Sequence, residues 1–377
     1  VFHVKPTEPA LGFLDEALDE ARREHLLRER EPAAMGAGAG PSFCSNDYLG
    51  LAALVGSEEV AGAGASRLLG GDRPVHRRLE AAAAELVGAP DALVFTSGYA
   101  ANLGVLSSLA GPRDLIVSDA LNHASIIDGA RLSRARVQVV PHLDVAAVER
   151  ALSAPRDGRA FVVTESYFSM DADSPDLPAL REVCDRHGAA LVVDEAHALG
   201  VLGPDGRGLC VAAGVVPDVL VGTFGKAFGA AGAFVAGSRS LVLWCWNRAR
   251  SFVFSTGLSP QLAAGALRGL VTAAAEPERR GRVLAAARTL REGLRRAGLP
   301  VLGDGPIVPW VIGDAQTALE LSIGLRQQGL DVRAVRPPTV PPGTARLRLT
   351  VTADHTPADV ERALEAFVSA ARRGRGL

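Results

Sequence analysis

The sequence predicts an α/β protein with a mainly parallel central sheet flanked by helices, followed by a smaller α+β C-terminal domain. Three observations carry that expectation. Short apolar runs rich in Val, Ile and Phe recur from about residue 90: ALVFTS, DLIVSD, VQVVPH, AFVVTES, ALVVDE and VLVGTF. Helical segments lie between most of them, and each run ends in a turn holding Gly, His, Asp or Ser. After Pro260 the chain changes to helices with only a few strands. Continuous apolar strands alternating with helices belong to parallel sheets covered on both faces, whose functional groups gather at the carboxyl ends of the strands.

The elements follow in order. From Leu11 to Arg30 the periodicity is helical, with Leu14, Leu18 and Ala21 on one side and Arg and Glu between them. EPAAMGAGAGP breaks that pattern and reads as a linker, so residues 1–43 are an N-terminal helix and linker. The strand–helix alternation defines a large α/β domain over 44–260. Two Ala/Leu/Arg-rich helices then run from about Gln261 to Ala297. PIVPWVIG, a helix near Ala315 to Gln328, DVRAVR, ARLRLTVT and a last helix from about Pro357 complete a small domain over 261–377.

Composition narrows the function. Hydrophobic residues make up 48% and charged residues 22%, as in a soluble globular chain. The net charge of -2 and an aromatic content of 5% argue against a nucleic-acid surface, an anionic membrane or a base-stacking platform. Cys44, Cys184, Cys210 and Cys245 are scattered without a CxxC pair, so neither a zinc site nor a disulfide framework is indicated. The opening stretch VFHVKPTEPALGFLDEALDE has early acidic residues and no apolar signal core, which fits a cytoplasmic protein.

Five strand ends hold polar groups. FTSGYAAN places Ser97, Gly98 and Tyr99 between a strand and a helix start, where backbone N–H groups face an anion; an ordinary strand-to-helix turn looks the same. DALNHASIIDGA sets His123 at a helix opening, a common place for a plain surface histidine. TESYFSMDADSPDL places Glu165 and Ser169 after a strand. ALVVDEAHALG ends a buried strand with Asp194, and His197 follows three residues on; a metal needs a third ligand, and none follows at suitable spacing. VLVGTFGKAFG ends a strand with Thr223 and then Lys226, one ammonium among small and apolar residues. That lysine either snorkels to solvent or has a partner. A phosphate-binding P-loop is ruled out, because Leu220 and Ala227 stand where glycine and a hydroxyl residue are needed.

One chemistry uses all these groups. Pyridoxal 5′-phosphate (PLP) needs a lysine for its aldehyde, an aspartate for its ring nitrogen, an aromatic ring or imidazole on its face, and amides and hydroxyls around its phosphate. An Asp-x-x-His strand end with a lysine 32 residues later is more specific than any one of these motifs.

SNDYLGL, GAGASRLLGG, FTSGYAAN, NHAS, ESYFSMDADSPDL, VDEAHALG, GTFGKAFG and FVFSTGLSP together resemble the α-oxoamine synthase family, in order from about Asn46 to the C-terminus. The resemblance implies a fold-type I PLP-dependent transferase that joins an amino acid to an acyl-CoA with loss of CO2, and a homodimer with active sites at the interface. It implies that Lys226 holds the cofactor and moves the Cα proton, that Asp194 pairs with the ring nitrogen, and that His197, with Ser169 or its neighbour, bonds the ring hydroxyl. It also implies that His123 stacks on the ring and assists acid catalysis. Ser97, Gly98, Tyr99 and Thr223 hold the phosphate, joined by Ser255 or Thr256 of a second subunit. Asn46 lies near the substrate, and Arg28 aligns with a residue near the acyl chain. VRPPTVPPGTARLRLTVTADH looks most like the biotin-pathway branch, which uses L-alanine and pimeloyl-CoA, with Arg336 on the amino-acid carboxylate. Branches using glycine with acetyl- or succinyl-CoA, or serine with palmitoyl-CoA, share the motifs. A noncatalytic scaffold subunit of the family typically lacks the lysine that is present here.

Overall fold

The computed structural model describes residues 19–20, 22–26, 43–51 and 60–374. Most of the expected N-terminal helix, and Arg28 with it, lies outside the described residues; residues 19–20 and 22–23 of that stretch are helical.

Seven strands form the main sheet: β1 (Asp91–Phe95), β2 (Leu115–Asp119), β3 (Arg136–Val140), β4 (Ala160–Glu165), β5 (Ala189–Asp194), β6 (Val219–Thr223) and β7 (Ala233–Gly237). Their order is β1-β7-β6-β5-β4-β2-β3. Pairings from β6 across to β3 are parallel, whereas β7 runs antiparallel to both β1 and β6. β2, β4 and β6 are buried at every position, which explains their unbroken apolar runs. Edge strand β3 is exposed at four of its five positions.

β7 is the strand that the apolar runs do not announce. AFVAG carries only Phe and Val as strong strand formers, and a glycine-rich connection separates it from β6. That connection carries Lys226, so the antiparallel turn-back sets the lysine at the sheet's carboxyl edge.

The helices of nine residues or more are α1 (Pro74–Val87), α2 (Gly98–Leu109), α3 (Ala124–Ser133), α4 (Val145–Ser153), α5 (Leu177–His187), α6 (Arg239–Arg248), α7 (Pro260–Ala275), α8 (Glu278–Arg296), α9 (Ala315–Gln327) and α10 (Pro357–Gly374). α2 and α3 follow β1 and β2, and they cross closely. A Cβ on Gly129 of α3 would lie 2.8 Å from the Asn102 carbonyl of α2, so only glycine permits this approach.

A second, antiparallel sheet joins β8 (Ile307–Gly313), β10 (Ala345–Thr350) and β9 (Ala334–Val335) in the order β8-β10-β9. One apolar cluster connects the two sheets, from Phe224, Phe228 and Phe234 through Tyr48 and Leu49 to Trp310, Leu347 and Phe367. The segment 43–51 also bonds β10: Thr350 N–H donates to the Phe43 carbonyl at 2.9 Å. The small sheet is thereby fixed against the carboxyl edge of the large one. Among the described residues, no helix is long and apolar enough to cross a membrane.

Candidate active site at the carboxyl edge of the central sheet

Strand register brings the polar positions together. Glu165 and Asp194 are partners at the ends of β4 and β5. Phe95 and Thr223 both pair with Ala233, so the turn after β1 and the end of β6 flank the start of β7. Ser97 caps α2 by accepting from Ala100 N–H at 3.1 Å. The first N–H groups of a helix lack intrahelical acceptors, and at the Gly98 Cα an added Cβ would meet nothing within 4 Å. That pairing of free donors and open space suits a phosphate. Tyr99 is exposed, and its hydroxyl donates to Asp128. Thr223 Oγ1 donates to the Gly232 carbonyl at 3.1 Å and accepts from Gly225 N–H at 3.2 Å, closing the loop that carries Lys226.

Asp194 is buried and held from two sides. Ala196 N–H donates to Oδ1 at 2.8 Å, and Asn102 Nδ2 donates to Oδ2 at 2.7 Å. Asn102 Nδ2 also reaches Ser125 Oγ at 3.0 Å, and that oxygen lies 2.8 Å from His123 Nδ1. His123 is the N-cap of α3: its Nδ1 accepts from Ser125 N–H at 3.2 Å. Glu165 is buried and accepts from His123 N–H at 2.8 Å.

A second network comes from the small sheet. Arg346 and Arg348 point from one side of β10, both buried, toward the loop after β4. Arg348 Nε donates to the Ser169 carbonyl at 2.6 Å and Nη1 to Asn46 Oδ1 at 3.0 Å. Tyr48 hydroxyl lies 2.9 Å from His197 Nδ1 and 3.2 Å from Asn46 Oδ1. Arg346 Nη1 bonds the Met170 carbonyl at 2.7 Å and Asp171 at 2.8 Å. The loop bearing Ser169 is therefore pinned along three consecutive residues.

Electrostatics converge on Lys226. It is partly buried, and among the described residues no hydrogen bond or ion pair reaches its side-chain amine. Burial lowers its pKa, against the pull of the Asp194 and Glu165 carboxylates. Burial also raises Glu165, with the Asp194 charge adding and Lys226 opposing. Both shifts favour the uncharged forms of the pair. His197 is held well below its usual pKa by burial and by the positive charges of Lys226 and Arg348. Desolvation of its inner edge lowers His123 as well, opposed by Asp194 and assisted by Lys226.

An unpartnered amine, a carboxylate fixed by two donors and an open helix start are what PLP requires, so these residues fit that group. Other candidates have different partners. Arg336 is buried, and its Nη1 donates to the His25 carbonyl. Ser255 Oγ lies 3.4 Å from the Thr256 carbonyl, and neither side chain is hydrogen-bonded to the Asp194 or Arg348 networks among the described residues. Asn102, Ser125, Tyr48 and Arg348 are the site members that strand-end reasoning does not single out. Two arginines at alternate positions of ARLRLT were the available signal for Arg348.

The chain matches the family described as aminotransferase class I and II over residues 42–367. It is 46% identical over 382 residues to the 8-amino-7-oxononanoate synthase of Anaeromyxobacter dehalogenans strain 2CP-1, covering 96% of each chain. Serine palmitoyltransferase from S. paucimobilis with a bound PLP–myriocin aldimine has a TM-score of 0.90 at 29% identity, covering 98% of this chain and 100% of that one. The crystal structure of 8-amino-7-oxononanoate synthase from Francisella tularensis has a TM-score of 0.74 at 27% identity, covering 88% and 98%.

Proposed function

Because this chain belongs to the class I and II aminotransferase family, as a PLP-dependent acyltransferase of the 8-amino-7-oxononanoate synthase group, we propose that it condenses L-alanine with pimeloyl-CoA. A bond forms between the alanine Cα and the acyl carbon. The thioester C–S bond breaks to release CoA, and the Cα–carboxylate bond breaks to release CO2. The observation that carries the reading is Lys226, an unpaired and partly buried amine faced by the Asp194 and Glu165 carboxylates.

When bound, PLP supplies an electron sink for the electron pair left at Cα. Lys226 would hold its aldehyde carbon, and Nζ would be the base that takes the Cα proton; the lowered pKa favours the free amine both roles need. Asp194 pairs with the ring nitrogen, its position set by Asn102 and Ala196. His197 and the Ser169 segment bond the ring hydroxyl. His197 is oriented by Tyr48, and Ser169 by Arg348. His123 stacks on the ring. Ser97, Gly98, Tyr99 and Thr223 hold the phosphate, completed by Ser255 or Thr256 of a second copy in a homodimer. Asn46 and Arg336 serve the substrate, with Arg336 taking the alanine carboxylate, and Arg28 is assigned near the acyl chain from its place in the sequence alone. Fixed groups of this kind stabilise developing charge without reorganising in the reaction.

The test is thiol release. Alanine, glycine and serine are crossed with acetyl-, succinyl-, pimeloyl- and palmitoyl-CoA. Turnover confined to alanine and pimeloyl-CoA supports the reading. Turnover with serine and palmitoyl-CoA would overturn the substrate assignment, and the high TM-score with serine palmitoyltransferase makes that the arm to run beside it. Lys226→Ala should abolish the borohydride-reducible PLP adduct; an adduct that persists removes the lysine assignment.

A further inference from the structure

We propose that Asn102 and Ser125 are positioning residues that hold His123 as its neutral, Nε2-protonated tautomer while anchoring Asp194 from the same amide. The inference rests on the reading of Asp194 and His123 as cofactor contacts. The argument is one of donor polarity. A backbone N–H can only donate, and Ser125 N–H is directed at His123 Nδ1 at 3.2 Å. Nδ1 therefore presents its lone pair. The Ser125 hydroxyl lies 2.8 Å from the same nitrogen and 3.0 Å from Asn102 Nδ2. An amide NH2 donates only, so the hydroxyl oxygen accepts from Asn102 and its own proton is directed to Nδ1. The other amide hydrogen of Asn102 goes to Asp194 Oδ2 at 2.7 Å, where a carboxylate can only accept.

Every link then has one direction, from Asn102 outward to Asp194 and to Ser125, and from Ser125 to His123. Turning the Asn102 amide over would set its oxygen against the Asp194 carboxylate, so Asp194 fixes the amide's orientation. The arrangement leaves Asn102 Oδ1 buried without a hydrogen-bond partner. Satisfying both N–H donors thus prevails over satisfying the oxygen. The groups acting on the imidazole are the Asp194 carboxylate and the Lys226 amine, with Glu165 on its backbone N–H; desolvation and Lys226 lower the ring's pKa and Asp194 opposes them. The consequence is chemical: with Nδ1 engaged, His123 offers a single N–H at Nε2. It serves as a donor and not as a base.

Ring-15N-histidine labelling reads this directly. One-bond and long-range 1H–15N correlations are recorded on the full-length protein with and without PLP, and His123 is assigned by its loss in His123→Asn. The expected pattern at pH 7 is a bare Nδ1 and a protonated Nε2. Ser125→Ala leaves the longer backbone bond alone to hold Nδ1 bare, so a minor Nδ1–H population should become detectable while Nε2–H stays the major form, with Ser125→Thr restoring the parental pattern. Asn102→Ala should also weaken PLP binding about ten-fold, the size of one lost hydrogen bond to a charged group, and shift the PLP absorption band. An imidazolium or an Nδ1–H ring in the parent protein overturns the proposal. So does an unchanged His123 pattern in both Ser125→Ala and Asn102→Ala. Should either variant fail to fold, the parental spectrum still decides the tautomer. If the parent forms no reducible PLP adduct, the cofactor reading falls separately, and the spectrum of the PLP-free protein still tests the relay.

Discussion

His142 tests how the loop bearing Ser169 is held. Its Nδ1 lies 2.8 Å from Asp119 Oδ1 and its Nε2 3.2 Å from Asp173 Oδ2, so one ring bridges the end of β2 to the far end of that loop. Its edge also packs on Phe168 at 4.4 Å. Although partial burial opposes the charged form, the two carboxylates bring the His142 pKa up to about 10. His142→Gln removes the cation and leaves Asp119 with backbone donors from Leu121 and Leu143. A charge pair at this range is worth about 4 kcal/mol before desolvation. Desolvation and the partial exposure of Asp173 reduce that, so the expected net loss is roughly 2 kcal/mol. In a chain of 377 residues that lowers the unfolding midpoint by about 2–3 °C. The sign of the pH dependence follows from the raised pKa. The stabilisation is fully present below the unfolded value near 6.5 and is lost as pH rises through the folded value of about 10. Thermal midpoints of parent and variant, both saturated with PLP, should differ most at pH 6 and converge toward pH 10. A gap that stays constant or widens with pH would refute the assignment of His142 as the charged bridge.

Two further predictions concern the site itself. Burial and Asp194 raise the Glu165 pKa, so this carboxyl is destabilising wherever it is forced to ionise; its favourable contribution is lost as pH rises through the folded value. In the PLP-free protein, Glu165→Gln should match the parent near pH 4.5 and unfold at higher temperature above neutral pH, and a midpoint that falls instead would show Glu165 to be a stabilising carboxylate. Gly129→Ala puts a Cβ 2.8 Å from the Asn102 carbonyl, which should cost about 1–3 kcal/mol as overpacking and weaken PLP binding by moving α3 off α2. Unchanged PLP affinity would show that the helix crossing does not set the distance between His123 and Asp194.

The parts of this molecule that were legible in the sequence are those governed by local pattern. Six apolar runs became β1 to β6, and in all of them but the exposed edge strand β3 burial on both faces writes itself into four or more consecutive residues. Asp194, Thr223, Lys226 and His123 could be picked out because polar groups interrupting such runs collect at one edge of the sheet. β7 escaped because its strand is short and weakly patterned, yet its reversal is what carries Lys226 to that edge.

Residues whose partners are set by tertiary packing were not legible. Asn102 lies on a helix with little amphipathic character, and nothing in GYAANLG says that its amide will face Asp194, 92 positions away. The contact exists because α2 meets α3 at Gly129, and a close helix crossing leaves no periodic trace. Arg348 likewise reads as an outward residue of an alternating strand until the second sheet is laid against the first; it is then buried and spans Ser169 and Asn46. The same physics separates the candidates that remain. His123 and Asp194 are locked by bonds within one chain, so they can be tested in any folded preparation. Among the described residues the Ser255–Thr256 segment makes no such bond to the site, so its assigned role depends on a second copy bringing it there. A phosphate contact supplied across an interface would make PLP affinity fall with dilution, while the Asn102–Ser125–His123 relay would stay intact.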